Sequence, residues 1–500
     1  MAGVVQNESL PKGSIDLRME RFTKYLDHSN MAHKPYQYDG VRKCLINEIS
    51  PDPLWGVRGG FIADEMGLGK TIMMIGLMYC NFMPHTLIVL PPILVDQWFI
   101  QIYKTTGHKA LVFHGEDKNT ITIENLKRAP IVITTYGAVT LSKKQLNNKC
   151  LTLLHRIAWS RIIFDEGHHL RNSNTTRYTS ARLLQAGTRW LVSGTPIQNK
   201  KSDFYSLCAI IRLPTKYYTD DKNLQILSRA FVLKRTKPSV GIQMPDLVID
   251  TNIVKWLSQK EMNLAEEIHS TLLFSRVDPS KGVNKLIVNA FGGNGPLPLM
   301  LRARQVCIYP KLMVKQLDKL VKKGVIGDYD SYKEAFKHSS KLDAVVNYIL
   351  ERKGNGCGKI IFCHFREEID EVAKRLIDGG MKKVVTFDGR TSNAKRYAIL
   401  NEKNEALVLQ IQTGCEGLNL QENYSEIYFI SPHWNPSVED QAIARCHRIG
   451  QTKSVYVHRF EMCAFDKAKE DVSNITTLTI DKYVGNVQNG KRFIANDIIQ

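Results

Sequence analysis

An α/β chain of two domains, each a parallel sheet flanked by helices with helical insertions between them, is what the sequence predicts. Three observations carry this. Short unbroken apolar runs alternate with helix-like segments over residues 35–199 and again from 340, and runs of that kind suit strands buried on both faces of a sheet. The stretch between those regions, 200–339, turns to charged sequence with helical spacing. The length, 500 residues, exceeds what one hydrophobic core serves and suits two or three domains.

Taken in order, the first 30 residues read as an N-terminal tail. The first sheet domain, 31–199, has strand-like runs at TLIVLPP from Thr86, APIVITTY from Ala129, RIIFDE from Arg161 and RWLVSGTP from Arg189. Over 200–339 the segments WLSQKEMNLAEEIHSTLLF and LMLRARQVCIYPKLMVKQLDKLVKK read as helices, with a loop at GGNGPLP between them. Strand-like runs return in 340–465 with KIIFCHF, KKVVTFDG, EALVLQIQ and SEIYFIS, and 466–500 reads as a helix and a mixed tail.

Composition narrows the function. With 43% apolar and 23% charged residues the chain is a folded, globular one. Its 68 Lys and Arg against 49 Asp and Glu leave a net charge of +19, which favours a polyanionic partner, although a basic surface can also be merely solvated. Ten cysteines without a CxxC pair argue against a zinc module or a disulfide framework and read as reduced intracellular thiols. No apolar run approaches the roughly 20 residues of a membrane helix, and MAGVVQNESLPKGS lacks the features of a signal peptide, so neither secretion nor membrane insertion is expected.

The chemistry centres on FIADEMGLGKTIMMI, Phe61 to Ile75. A phosphate-binding loop needs glycines that let backbone N–H groups converge on anionic oxygens, a lysine for the outer phosphates and a hydroxyl for magnesium. Gly67, Gly69, Lys70 and Thr71 supply these, although Asp64 stands where the pattern GxxxxGK[ST] has its first glycine. Farther on, RIIFDEGHH sets Asp165 and Glu166 at the end of an apolar run, where Asp165 suits magnesium and Glu166 suits deprotonation of the attacking water. Taken alone, such a pair equally suits a helix cap or a solvated turn. Loop and acid pair in this order point to a nucleotide triphosphatase using Mg2+. The neighbouring His168 and His169 lack the spacing of a metal site. In QAIARCHRIGQ, Gln441, Arg445 and Arg448 recur at spacings of four and three, which on a helix places them near one face. Arginine suits the charge that develops on a γ-phosphate, while a plain basic helix face is the alternative.

The ordered motifs resemble the helicase superfamily 2 ATPases, and specifically the Swi/Snf-type DNA translocases, over about residues 34 to 465. KPYQYDGV, DEMGLGKT, PP...QW at Pro91 to Trp98, ITTY, DEGHHLRN and SGTPIQN match the first half of that family. FVLKRTK, SSKLDAV, IIFCHF, FDGRTS, GLNL, WNPS and QAIARCHRIGQ match the second. The resemblance implies two RecA-like lobes with ATP and magnesium in the cleft and a duplex DNA groove across both. It gives Gln37 the adenine, with Gln441 also at the nucleotide, Lys70 and Thr71 the phosphate and metal, Asp165 and Glu166 hydrolysis, and Arg445 and Arg448 the role of arginine fingers. It implies that His168 links the nucleotide site to Ser193, Gly194 and Thr195. It makes Thr134, Thr135, Tyr136, His364, Phe365 and Trp434 candidates for lining the DNA path. QIQTGCEGLNL departs from the family at Gln410, Ile411 and Gln412, where small hydroxylated residues are usual. Double-stranded DNA is the implied partner of a monomeric motor lacking reader domains. Nucleosomes, other DNA-bound proteins or a transcription complex would be its targets, in a nucleus or in the factory of a large DNA virus.

Overall fold

The computed structural model of the chain describes residues 12–194, 201–275, 286–292, 296–392, 395–396, 398–399, 402–414, 418–465 and 477–499. The chain divides into two compact units, one of Met1–Gln243 with Phe493–Gln500 and one of Met244–Arg492.

Among the described residues the first unit holds a seven-stranded, all-parallel sheet in the order β3-β4-β2-β5-β6-β1-β7. Its strands are β1 (Arg58–Ile62), β2 (Thr86–Leu90), β3 (Leu111–Phe113), β4 (Ile131–Thr135), β5 (Ala158–Asp165), β6 (Gln185–Val192) and β7 (Val232–Leu233). Strand β2 is buried at every position because helices cover both faces: Ile88 and Leu90 join one core cluster, Leu87 and Val89 the other. On the first face lie α1 (Lys12–His28), α2 (Pro35–Ile49), α3 (Lys70–Cys80) and α4 (Val95–Thr106).

Residues 12–28, which the sequence placed in a tail, instead form a helix with a buried stripe of Ile15, Met19, Phe22, Tyr25 and Leu26. Phe22 lies so close to α3 that a Cβ on Gly76 would sit 2.3 Å from its ring. A buried polar knot fixes these helices to the sheet. Glu48 on α2 accepts from Arg161 on β5 (2.7 and 2.5 Å), Trp190 on β6 (2.9 Å) and Asn81 just past α3 (2.8 Å). Arg18 on α1 reaches the Asn81 side chain at 2.9 Å.

The second unit holds, among the described residues, a six-stranded parallel sheet in the order β10-β11-β9-β12-β13-β8. These strands are β8 (Leu247–Val254), β9 (Lys359–Cys363), β10 (Val384–Phe387), β11 (Ala406–Gln410), β12 (Glu426–Phe429) and β13 (Val455–Met462). The stretch 200–339 is therefore not wholly helical insertion, since it gives β7 to the first sheet and β8 to the second. Its helices Gln259–His269, Pro296–Ile308 and Val314–Lys322 pack in one core cluster with Ile361 and Val408 of the second sheet. Ile411 is buried against the other face, so the apolar departure in QIQTG fills the core.

The C-terminal helix Ile480–Ile499 holds to this unit through its stretch up to Arg492. Asp481 near its start is buried and accepts from Lys341 (2.7 Å), Ser431 (3.0 Å) and the Met462 N–H (3.0 Å). Farther along, Gln488 donates to the His433 carbonyl and to Glu439 (2.5 and 2.7 Å), and Lys491 to the Trp434 carbonyl (2.7 Å).

Candidate functional site

In the first unit the candidate residues gather where open parallel sheets place their sites, at the carboxyl ends of the strands. Ile62, Val192 and Asp165 stand level with one another across β1, β6 and β5. The chain leaves β1 into the loop 63–69, leaves β5 into Glu166 and leaves β6 into Ser193, so all three segments meet at one edge.

The loop needs its glycines. Gly67 and Gly69 have φ of +91° and +83°, in the left-handed region, and Gly69 caps α3. A Cβ on Gly69 would lie 2.3 Å from the Gln37 side-chain nitrogen. Gln37 is buried and donates to the Leu68 carbonyl at 3.0 Å, which places it against the phosphate loop. Lys70 and Thr71 open α3, and the Lys70 ammonium donates to the carbonyls of Asp64 (2.9 Å) and Glu65 (3.4 Å). A Cβ on Gly194 would lie 3.5 Å from the same ammonium. Ser193 and Gly194 thus border the loop, while Thr195 lies outside the described residues.

Both oxygens of Asp165 are held. Trp98 donates its indole N–H to Oδ2 at 2.6 Å, and the Glu166 N–H donates to Oδ1 at 3.0 Å. Burial and the charge of Glu166 push the Asp165 carboxyl up to about 7, against the pull of those donors and of Lys70. Glu166 adopts φ +49°, ψ 47°, a left-handed conformation that costs a side-chain-bearing residue energy and is characteristic of functional sites. One ring nitrogen of His168, Nδ1, lies 3.3 Å from Glu166 Oε2 and 3.1 Å from the Ser193 hydroxyl, so these three residues are brought together. His169 stacks on His168 at 4.7 Å; among the described residues no group of three or more His, Cys, Asp or Glu side chains could hold a metal.

The threonines and tyrosine proposed for a DNA path face inward. Thr134 is fully buried and donates to the Phe113 carbonyl at 2.9 Å, and Thr135 caps the short helix Tyr136–Val139. Tyr136 is 3% exposed and donates its hydroxyl to the Asp165 carbonyl at 2.8 Å. These side chains therefore do not line an open groove, because the end of β4 is closed over by its own turn. Tyr136 instead supports the acid pair, as Trp98 does.

In the second unit the helix Pro436–Ile443 carries Gln441, which is buried, but ends before Arg445 and Arg448. The helical face expected for all three is corrected accordingly. The helix stops because Cys446 turns inward onto the Tyr424 carbonyl and the Arg445 carbonyl takes the Leu420 N–H at 3.0 Å. The turn still sets Arg445 beside Arg448, whose guanidinium is held below its ordinary range by burial and by that neighbour. Arg448 donates to the Asn419 side chain.

His364, Phe365 and Trp434 lie close together on the same unit. The His364 ring lies 6.4 Å from Phe365 and stacks at 5.8 Å on His433, next to Trp434 in the chain. Burial, with Arg304 and His433 alongside, holds His364 well below the usual histidine range, so its imidazole is neutral. Arg304 lies over the Trp434 ring at 5.4 Å and donates to the Pro432 carbonyl at 3.1 Å. Trp434 is half-buried and packs edge-on to Tyr483, so it has a structural role whatever else it contacts. Sequence reasoning did not single out Trp98, Arg235 or Arg304. Only the PP...QW and FVLKRTK motifs signalled the first two, without saying what they touch.

Comparison with known proteins now bears on this geometry. Residues 24–221 match the SNF2-related domain family, and residues 340–450 match the helicase conserved C-terminal domain family. Among similar proteins, "DNA excision repair protein ERCC-6-like" of Bos taurus is 25% identical over 90% of this chain and 41% of its own length. "Probable global transactivator" of Orgyia pseudotsugata multicapsid polyhedrosis virus is 27% identical, over 80% of this chain and 81% of its own length. "ATP-dependent DNA helicase DDM1" of Arabidopsis thaliana is 27% identical over 85% and 58%. This chain thus spans about two fifths of the first of these relatives and most of the second. A solved structure, "Sulfolobus solfataricus SWI2/SNF2 ATPase core in complex with dsDNA", aligns over 94% of this chain and 93% of its own, at 22% identity and a TM-score of 0.39. With an SNF2-related domain on one sheet and a helicase C-terminal domain on the other, the chain belongs to the SNF2-type, helicase-like ATPases.

Proposed function

We propose that this ATPase is stimulated by double-stranded DNA and spends each hydrolysis on a step along the intact duplex, displacing or remodelling protein bound there. The observation that carries its ATPase half is the meeting, at one sheet edge, of the Lys70 loop, the Asp165 and Glu166 pair and Ser193. The residues suit the ligand: two left-handed glycines clear a backbone cradle, and the acids collect negative charge that a cation would relieve. Backbone N–H groups of Gly67 to Thr71 would receive the phosphates, with Lys70 turning from the Asp64 and Glu65 carbonyls to the outer ones. Gln37, against the phosphate loop, is assigned to the nucleotide. Thr71 and Asp165 would hold Mg2+, which supplies charge neutralisation at the phosphate oxygens. Glu166 takes the proton of the attacking water, and His168 relays its state to Ser193. Arg445 and Arg448 act as the arginine fingers.

Support for DNA comes from the net charge of +19 and from the relatives named for DNA repair and DNA helicase activity. Of the residues proposed for the path, His364, Phe365 and Trp434 share one region, with Arg304 beside them. Contacts of this kind are mainly to phosphate, so binding falls steeply with salt and depends little on sequence. Nucleosomes or a transcription complex would be the obstacles it acts on, in a nucleus or a virus factory.

Steady-state ATP hydrolysis at low salt with no nucleic acid, duplex DNA, single strands and duplex RNA tests the proposal, with Glu166→Gln as control. Stimulation by duplex DNA alone, followed by triplex displacement, is expected. Equal stimulation by RNA or single strands would instead make the chain a strand-directed helicase.

A further inference from the structure

The head of the phosphate loop is chemically out of place. Where the usual pattern has a glycine, this chain has Asp64 followed by Glu65, two anions beside the segment that has to accept phosphate. Each is met by a cation from the strand-like FVLKRTK segment. Arg235 grips the fully buried Asp64 bidentately with one edge of its guanidinium, Nε to Oδ1 at 3.1 Å and Nη2 to Oδ2 at 2.5 Å. Lys237 pairs its ammonium with Glu65 Oε1 at 2.8 Å and donates its backbone N–H to Oε2 at 2.8 Å.

The backbone follows the same path. Strands β1 and β7 pair in parallel, Phe61 with Val232 and Ile62 with Leu233. The ladder continues past both strands, with the Ala63 N–H on the Leu233 carbonyl (2.7 Å) and the Glu65 N–H on the Arg235 carbonyl (2.9 Å). Arg235 also donates to the Tyr36 carbonyl and lies over the Tyr36 ring at 5.5 Å, next to Gln37. Room for the guanidinium exists because residue 40 is glycine: a Cβ there would sit 2.8 Å from Arg235 Nη2. On the inner side Lys70 holds the carbonyls of these same two acids. The segment bearing Arg235 and Lys237 then leads out of the first unit, whose N-terminal stretch ends at Gln243.

We propose that Arg235 and Lys237 are positioning residues that neutralise the acids heading the phosphate loop, and that these ion pairs tie occupancy of the loop to the strand by which the chain leaves this unit. The proposal rests on ATP binding at this loop. An uncompensated buried carboxylate so near the phosphates would repel them, whereas a pair of opposite charges leaves almost no net field. Lys70 cannot serve the phosphates and the Asp64 and Glu65 carbonyls at once. Its departure loosens those two peptide units, and the first of them, through the Glu65 N–H, is hydrogen-bonded to the exit strand.

The test uses the full chain, a fluorescent ATP analogue that is not hydrolysed, and amide hydrogen exchange of residues 232–243. Arg235→Gln should weaken analogue binding by about tenfold, and adding Asp64→Asn should restore it to within about threefold, because the double change removes both charges. The second pair, in which Lys237 is buried and Glu65 partly exposed, gives a second cycle: Lys237→Gln should weaken binding by about threefold and Glu65→Gln should undo it. In the wild type the analogue should speed exchange over 232–243, and the Asp64→Asn, Glu65→Gln double variant should bind it without that change. Weakening that the partner substitution leaves unrescued would mean a packing role and overturn the proposal, as would exchange indifferent to a bound analogue. A wild type that binds no analogue would fail earlier, at the nucleotide reading itself.

Discussion

Replacing Trp98 by Phe removes a hydrogen-bond donor, with part of its ring, from beside Asp165, and the structure says how much that donor does. The indole N–H lies 2.6 Å from Asp165 Oδ2, with Trp98 1% exposed and Asp165 8%, so no water stands ready to take its place. A hydrogen bond to a charged group contributes about 1.5–3 kcal/mol, which at 1.4 kcal/mol per decade is roughly ten- to a hundredfold. That loss falls on the carboxylate assigned to Mg2+, in line with the usual cost of disturbing the partners of a metal ligand. Trp98→Phe should therefore raise the Mg2+ concentration that half-activates ATP hydrolysis, or lower kcat, by at least about tenfold. The smaller ring also leaves a void costing about 1–3 kcal/mol of stability, so thermal unfolding has to be measured alongside. If the variant melts earlier while each folded molecule keeps the wild-type Mg2+ dependence and kcat, Trp98 is packing and the argument is wrong. Tyr136→Phe, which frees only the Asp165 carbonyl, should cost less, about 0.5–1.5 kcal/mol.

Three further outcomes are expected. Glu166→Gln should lower kcat by about a hundredfold or more while nucleotide binding persists, read by turnover against analogue affinity. Glu48→Gln should leave Arg161 buried with a neutral partner and destabilise the first unit by about 3–5 kcal/mol in urea unfolding. Glu368 is fully buried beneath the His364 and Phe365 N–H groups, and burial raises its carboxyl from 4.5 to about 7. The folded state thus prefers the protonated acid: this stabilisation is complete below pH 4.5 and is lost as pH rises through 7, by up to about 3 kcal/mol. Glu368→Gln should flatten that dependence and stabilise the second unit at pH 8, and a variant with the wild-type pH slope would contradict the assignment.

The sheets were legible because buried parallel strands leave an unmistakable trace. TLIVL, IVITT, KIIFC and ALVLQ are apolar wherever two helical layers press on them, and each became a strand. The strands that escaped lacked that trace. Leu247 to Ile249 at the start of β8 are exposed because β8 is an edge strand, and β7 is only two residues long. The first helix escaped for another reason: its stripe of Ile15, Met19, Phe22, Tyr25 and Leu26 has helical spacing, but polar residues surround it and only α3 and its neighbours give it a face to bury against.

At the site, local spacing found what the chain itself brings together, as in the loop from Gly67 to Thr71 and the adjacent acids, and was silent on what the fold brings together. Trp98 meets Asp165 from 67 positions away and Arg235 meets Asp64 from 171, distances over which no periodicity operates. Where spacing was trusted too far it misplaced residues. Gln441, Arg445 and Arg448 fit one helical face only if the helix continues, and Cys446 ends it by turning into the core. Likewise ITTY is a strand end whose three polar side chains are used inside the unit, the two threonines closing around β4 and the tyrosine bracing Asp165. The departure at Asp64 follows the same logic. Read alone it is a defect in a phosphate loop, but beside Arg235 it is half of a neutral pair, so the meaning of one residue was fixed by another that only the fold could supply.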